Sequence, residues 1–358
     1  MYKKVYIILV NYNGWADTIE CLESVLKNDY DNYQIIIVDN NSPNNSLDYI
    51  KMWAEGKLTP YIHKDNQLRN LSFPYINKPI PYVLYSKEEA LNGGIFEREN
   101  KITNFIFKNN TITTNYPLIF IQAFENKGFA AGNNIGMKFA LFRNDFEYIW
   151  LLNNDTVIEK NSLKSLVDFS IKNKVIKNKI GIVGSKLLFY DAPNIIQGIG
   201  GIYNKYLAIG SHIGMFERDL NQYDNKYLKF DYVIGASMFV TKNFIKNIGL
   251  MCEEYFLYFE EMDWAVRAKF KNFKISFCGL SKVYHKEGSS IGKYVPGMRS
   301  WVAESNDLKN RIYFTKKYFK KYILLIYLSF IIVLFNRLKR KQFKKLYKII
   351  FIIIKSLI

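Results

Sequence analysis

Residues 4–46 read KVYIILVNYNGWADTIECLESVLKNDYDNYQIIIVDNNSPNNS. The first seven are a nearly continuous apolar run, as expected of a strand covered on both faces. Ile19, Leu22, Val25 and Leu26 then recur at helical spacing. A second apolar run ends in Asp39 and a turn-rich stretch. Strand, helix, strand at this spacing predicts a βαβ unit, hence a parallel sheet covered by helices. The basic-then-apolar start has the look of a secretion leader. The run is short, however, Asn11 and Asn13 interrupt it, and no small-residue cleavage site follows. The expectation is a buried first strand.

The alternation continues in PLIFIQA (117–123) and EYIWLLN (147–153), two further strands. Between them lies a Gly/Asn-rich turn that feeds a helix from about Ala131. In such sheets ligands sit beyond the carboxyl ends of the strands. Asp39, the loop from Asn126 to Asn134, and Asp155 all fall there. Residues 51–116, with prolines at 74, 79 and 81, fit the alternation poorly. They read as an insertion: a strand pair or a flap over the sheet edge, or a surface decoration. From about residue 180, glycine-separated strand-like pieces predict a smaller, mixed, partly antiparallel sheet. The fold class expected is α/β, a mostly parallel sheet flanked by helices.

The chain has 358 residues, is 49% hydrophobic and carries a net charge of +18. Such a charge suits nucleic acid, an anionic membrane or a phosphorylated substrate. Its placement narrows the choice. Residues 292–358 hold 16 basic and 2 acidic residues, a net of +14, which leaves 34 against 30, or +4, for the rest. A nucleic-acid enzyme would more often spread its basic residues around a cleft, so no nucleic-acid partner is expected. The tail also carries YILLIYLSFIIVLF (322–335) and IIFIIIKSLI (349–358), flanked by lysine and arginine clusters. Fourteen residues make a helix of about 21 Å, short of a ~30 Å bilayer core. The pattern predicts helices lying on, or dipping into, an anionic leaflet; a buried core helix with solvated ends is the plainer reading. This divides the chain into 1–292 and a membrane-associating 293–358. The three cysteines, Cys21, Cys252 and Cys278, are odd in number and widely spaced. That argues against a disulfide framework and for a reducing compartment.

Three motifs carry chemistry. LLNNDTVI (151–158) ends a strand in a carboxylate. Asp155 there suits a hard cation such as Mg²⁺ or Mn²⁺ if substrate phosphates complete the shell; it equally suits an Asx turn. His285, in VYHKEGSS (283–290), would complement Asp155 at a metal, with Lys286, Gly288, Ser289 and Ser290 suiting a ligand loop. YFEEMDW (258–264) sets three acids among large apolar groups. A sugar hydroxyl is a weak nucleophile, and a carboxylate can take its proton as a bond forms. Apolar neighbours raise such an acid's pKa. Helical spacing puts Glu260 and Asp263 about 60° apart and Glu261 well away from Asp263, so the three cannot share one role. Acids that merely favour a helix start would account for some of them. Asp39 suits a nucleobase or ribose, but VNYNG stands where a dinucleotide fold needs GxGxxG, which excludes hydride transfer with a nicotinamide.

These stretches, taken in order over residues 4–292 without the insertion, resemble family 2 glycosyltransferases of the GT-A fold, especially the bacterial rhamnosyltransferase-like branch. The resemblance implies an inverting transferase with a nucleotide-diphospho-sugar donor and a divalent metal, Mg²⁺ or Mn²⁺. It implies that Val10, Asn11, Asn13 and Asp39 hold the base, and that Asn126, Gly128, Asn133 and Asn154 line the nucleotide-sugar site. NND stands in place of the family's DxD, so Asn153 replaces the first Asp, Asp155 carries the metal role, and His285 completes it. Glu261 matches the general base, Asp263 is the second candidate, and Glu260 orients its neighbours. Gly235, Ala236 and Trp264 would face the acceptor. dTDP-L-rhamnose is the first-choice donor, with UDP- and GDP-sugars open. The basic, apolar tail suggests a glycan or polyprenyl-linked acceptor at the cytoplasmic face of a bacterial inner membrane. The rivals are a nucleotidyltransferase, which would show a basic Gly-rich loop near the N-terminus, and a membrane-bound scaffold, which would bind no nucleotide sugar.

Overall fold

The computed structural model describes residues 3–109, 116–173, 177–224, 228–286 and 300–357. Val5–Asn11 (β1), Trp15–Val25 (α1) and Tyr33–Asp39 (β2) form the expected unit, with β1 and β2 parallel and Asn11 opposite Asp39. Successive side chains of a strand serve opposite faces. Val5, Ile7 and Leu9 therefore join Ile19, Leu22 and Val25 in one core, while Tyr6 and Ile8 join Met137 and Phe139 in another. Both faces are covered, which is why the sequence there is unbroken apolar.

Helix α2 is Ser46–Ala54. The segment read as an insertion holds Arg69–Ser72 (α3), Tyr82–Ser86 (β3), Lys87–Leu91 (α4) and Phe96–Asn109 (α5). It forms neither a flap nor a strand pair. β3 pairs in parallel with Leu118–Gln122 (β4) and becomes the edge strand of the main sheet. Val83 and Tyr85 are its buried face, and Tyr82 stacks on Phe120 with ring centroids 4.8 Å apart. Leu68, from the same segment, packs beside Val157, Leu188 and Tyr284.

Helix α6, Phe129–Arg143, begins two residues earlier than the Asn/Gly pattern suggests. A Cβ on Gly132 or Gly136 would come within 2.7 Å of the Val10 side chain or 2.8 Å of Ile8. Their absence lets the helix lie directly on β1. Then come Tyr148–Leu152 (β5), Thr156–Ile158 (β6), Ser162–Lys172 (α7), Ile180–Phe189 (β7) and Ala192–Gly198 (β8). Gly201–Asn204 (β9) and Ile209–His212 (β10) precede Ser237–Thr241 (β11), Lys242–Ile248 (α8), Glu260–Phe270 (α9) and Lys274–His285 (β12).

The main sheet has ten strands in the order β3-β4-β2-β1-β5-β11-β7-β12-β6, with β8 on β7. β11 runs antiparallel to both of its neighbours, and β6 and β8 are also antiparallel to theirs. The chain leaves β1 toward β2 on one side and returns as β5 on the other, so the crevice beyond Asn11 is a topological switch point. The separate smaller sheet is narrower than expected: only the antiparallel pair β9–β10 stands apart among the described residues, and the other late strands extend the main sheet. β12 is one bulged strand, not two pieces.

The tail folds as Trp301–Tyr318 (α10), Ile323–Lys339 (α11) and Phe343–Leu357 (α12). The buried Glu304 carboxylate takes Arg337 at 2.6 Å and Lys345 at 2.9 Å, tying the three together. Lys320–Lys339 is long and apolar enough to cross a membrane, by length and composition. Helix α10 is part of the body: Phe314 sits in a cluster with Tyr232, Tyr255 and Phe259. The 292/293 boundary, with Gly288, Ser289 and Ser290, lies outside the described residues.

Candidate active site

At the switch point Asp39 is buried and fully engaged. Asn11 donates to its Oδ1 at 2.6 Å, the Ser42 hydroxyl to the same oxygen at 2.7 Å, and Ser42 N–H and Gln122 to Oδ2 at 3.0 and 3.2 Å. The Asn11 Oδ1 in turn accepts from Thr18 at 3.0 Å, and Asn154 donates to the Thr18 hydroxyl at 2.9 Å. Val10 meets α6 at Gly132. Asn13 is exposed at the crevice mouth, with φ +59°, its N–H held by Ser42 at 2.9 Å. Asn154 is thus buried and braces Thr18 beside Asn11.

The loop before α6 is braced in the same way. Asn126 Oδ1 accepts from Asn40 and from Gly128 N–H, both at 2.9 Å. Gly128 has φ +92°, and a Cβ there would lie 2.0 Å from the Phe256 carbonyl oxygen. Only glycine serves at that contact. Asn133 donates to Phe129 O at 3.0 Å. Asn134 bonds Met251 O and Glu253 at 2.9 and 2.8 Å, joining α6 to the approach to α9.

Strand β12 brings His285 to Asp155, with Nε2 3.2 Å from Oδ1. Gln197 Oε1 lies 2.9 Å from His285 Nδ1. That bond fixes the ring; doubly protonated, the imidazolium pairs with Asp155, whereas a neutral ring protonated at Nδ1 would offer its Nε2 lone pair to a cation. Burial alone would raise the Asp155 carboxyl, but the His285 charge and hydrogen bond, with Lys286 behind them, hold it below the usual range. Asn153 Oδ1 is buried with no hydrogen-bond partner among the described residues, while its amide nitrogen lies 3.4 Å from His285 Nε2. Asp155 Oδ1 and His285 Nε2 thus converge, one carboxylate oxygen and one imidazole nitrogen of the kind that hold a divalent cation if substrate phosphates complete the shell; no group of three His, Cys, Asp or Glu side chains does so among the described residues. Ala236 O accepts from Asn153 N–H at 3.0 Å, and a Cβ added at Gly235 would meet nothing nearer than the Phe129 ring at 4.0 Å. Lys286 pins this corner to α1 through Asp17 at 2.5 Å and Glu20 at 2.6 Å.

The acidic motif is assembled by strain. Tyr258 and Phe259, just before α9, have φ of +70° and +76°, a conformation that costs bulky residues about 1–3 kcal/mol each. Asn310 of α10 holds it, donating to the carbonyls of Leu257 and Tyr258, both at 2.9 Å. The turn aims Glu260 and Glu261 from the helix N-terminus. Burial pushes the Glu261 carboxyl up to about 7, against backbone hydrogen bonds that lower it. Glu260 is raised well above the normal range by burial and by the charge of Glu261. Its Oε2 has no partner among the described residues.

Asp263 is committed elsewhere. It is fully buried and takes Arg267 at 2.6 Å, Lys317 at 2.7 Å and the Tyr318 hydroxyl at 2.6 Å. Burial would raise it, yet these partners outweigh burial and hold it below the ordinary carboxylate range. That makes it a structural anion and a poor second base. Trp264 is buried beside Phe244 with its N–H on Gly249 O at 2.9 Å. It therefore cannot face an acceptor. A group held below its unfolded pKa lends stability above that value and loses it as pH falls through the folded pKa. Asp263→Asn should accordingly destabilise the fold by about 3 kcal/mol, the low end for a broken buried pair because Lys317 and Arg267 reach solvent. The deficit measured by denaturant unfolding should shrink as pH drops below the ordinary aspartate value of 3.8. A deficit equal at pH 7 and pH 3 would contradict this.

Nothing in the sequence singled out Gln197, Thr18, Asn310, Lys317 or Tyr318, since each works through a partner distant along the chain. Lys286 stood out only by its place after His285.

The family profile described as glycosyl transferase family 2 matches residues 6–71. The low-salt glycan biosynthesis hexosyltransferase Agl10 of Haloferax volcanii is 21% identical over 277 residues, 74% of this chain and 83% of that protein. The crystal structure of GalNAc-T7 with UDP, GalNAc and Mn²⁺ superposes with a TM-score of 0.53 at 14% identity, over 90% of this chain and 49% of that one. S. aureus TarS 1–349 aligns at a TM-score of 0.46 and 12% identity, over 91% and 71%. Fold and sequence together define a glycosyltransferase with GT-A architecture. Within it, the N-terminal βαβ unit is similar to family 2 glycosyltransferases.

Proposed function

We propose that this enzyme transfers a sugar, with inversion, from a nucleotide-diphospho-sugar to a hydroxyl of a glycan or polyprenyl-linked acceptor in bacterial surface polysaccharide synthesis. The observation that carries the reading is the convergence of Asp155 Oδ1 and His285 Nε2, 3.2 Å apart, at the crevice framed by Asn11 and Asp39. The Asn11–Asp39–Ser42 network would present the nucleobase and ribose with a fixed polar wall. Gly128 would let the α6 N-terminus approach the donor, where backbone N–H groups favour anions. Asp155, His285 and the Asn153 amide oxygen would hold Mg²⁺ or Mn²⁺, and such a cation neutralises charge on a leaving diphosphate. Glu261 would take the acceptor proton while the hydroxyl attacks the anomeric carbon. Glu260, whose carboxyl burial and the charge of Glu261 shift toward the protonated form, would orient its neighbours. Gly235 and Ala236 remain the acceptor-side wall in this reading.

For the donor, dTDP-L-rhamnose stands first on the NNDTVI and FLYFEEMDW stretches. GalNAc-T7, crystallised with UDP, GalNAc and Mn²⁺, favours metal use and keeps UDP-sugars as the second reading. Lys320–Lys339 and the basic flanks would seat the enzyme on the cytoplasmic face of the inner membrane.

The test is donor hydrolysis by the purified chain with Mn²⁺ or Mg²⁺ and a panel of dTDP-, UDP- and GDP-sugars, reading released nucleoside diphosphate. Release from one donor is expected. No release, together with no binding of any nucleotide sugar, would overturn the reading in favour of a scaffold.

A further inference from the structure

Helices α10 and α12 enclose a cleft of about 610 Å³ that the proposed reaction does not use. Its floor is apolar, with Ile312, Phe351 and Ile352 beside the aromatic rings of Trp301, Tyr313 and Tyr347. Lys309, Lys316, Lys348 and Lys355 also line it, and no acidic side chain does so among the described residues. Lys348 lies 5.1 Å from the centre of the Trp301 ring, and Lys316 bonds the Ser356 carbonyl. An apolar, largely aromatic interior among four cations is complementary to a hydrocarbon chain ending in an anion such as phosphate.

Helix α10 links this cleft to the catalytic turn. One side of it, through Ser305, Lys309, Ile312 and Lys316, faces the cleft. The other side, through Asn310, Lys317 and Tyr318, grips the turn before α9 and Asp263. Tyr313 belongs to both, lining the cleft and packing edge-on against Tyr255 at 5.2 Å. The cleft and the turn before α9 thus lie against opposite faces of the same helix, roughly 10 Å in diameter. Exposed Ile350, Phe351 and Ile354 on α12 give a lipid chain a continuous apolar approach.

We propose that the α10–α12 cleft binds the lipid phosphate of the acceptor: a single-chain polyisoprenoid-type phosphate or diphosphate, its chain on the apolar floor and its phosphate among the four lysines. This rests on the transferase reading above and adds to it the site that holds the acceptor's lipid end. The probe is farnesyl diphosphate, titrated calorimetrically into the full chain held in phosphatidylcholine nanodiscs. Saturable binding is expected, weakened about tenfold or more in the Lys348→Glu/Lys355→Glu variant and restored in Lys348→Arg/Lys355→Arg. The rescue separates a charge effect from misfolding. Three results would overturn the proposal: no binding, binding indifferent to the charge reversal, or inorganic diphosphate binding as tightly as the farnesyl ester. Displacement of the probe by phosphatidylglycerol nanodiscs would also overturn it, by making the cleft a site for bulk acidic lipid. The transferase reading fails on a different observation, loss of nucleotide-sugar binding, which would leave this binding result in place.

Discussion

Glu261→Gln should slow sugar transfer by about 10²–10⁴-fold, the usual worth of a positioned general base, while donor affinity stays at its wild-type value. The amide keeps the size of the side chain and one acceptor oxygen but cannot take up a proton. Its neighbours, the strained Tyr258–Phe259 turn and the Asn310 clamp, are held through backbone groups, so the substitution leaves the fold unchanged. A pH signature should accompany it. Only ionised Glu261 can act, and its carboxyl is pushed up to about 7. In the wild type kcat/KM should therefore rise with pH to near 7 and level off above. In the variant that limb should vanish. Single-turnover transfer, with donor affinity by calorimetry, would decide it; near-wild-type turnover, or loss of donor affinity in step with rate, would assign the base elsewhere.

Asp155→Asn should reduce donor hydrolysis by about 10³-fold, several kcal/mol of lost charge stabilisation, and chelation of the wild type should match it. Asp155 is the carboxylate at the His285 corner, facing Nε2 at 3.2 Å. Asparagine conserves shape and removes charge. A readout independent of turnover is Mn²⁺ binding followed by electron paramagnetic resonance: the free-ion signal should fall on adding wild-type chain and persist with the variant. Activity that survives chelation, or Mn²⁺ binding that survives the substitution, would mean that Asp155 serves only to orient His285.

Much of the site was legible because it is local. Asn11 and Asp39 end adjacent strands, and apolar runs announce strand ends with little ambiguity. His285 closes β12, and Asp155 stands in the short turn between β5 and β6. What misled was composition without context. Trp264 beside three acids looked like a platform for a sugar ring, yet helical phase turns it inward onto Phe244. Asp263 looked like a spare base, yet three donors from α9 and α10 claim it. Residues 51–116 looked foreign to the sheet because prolines precede a strand only five residues long, Tyr82–Ser86.

The sequence by itself determined the parallel βαβ half, the strand-end polar residues and the amphiphilic, basic tail, because periodicity and apolar runs are properties of neighbouring residues. Only the tertiary structure decided which acid is free. Burial, the Glu260–Glu261 proximity and the reach of Lys317 across 54 positions are set by packing, and carboxylate chemistry depends on those surroundings rather than on the residue's name. It also laid helix α10 of the tail against the acidic turn. Asn310 and Lys317 can hold the catalytic turn only once α10 has been laid against it.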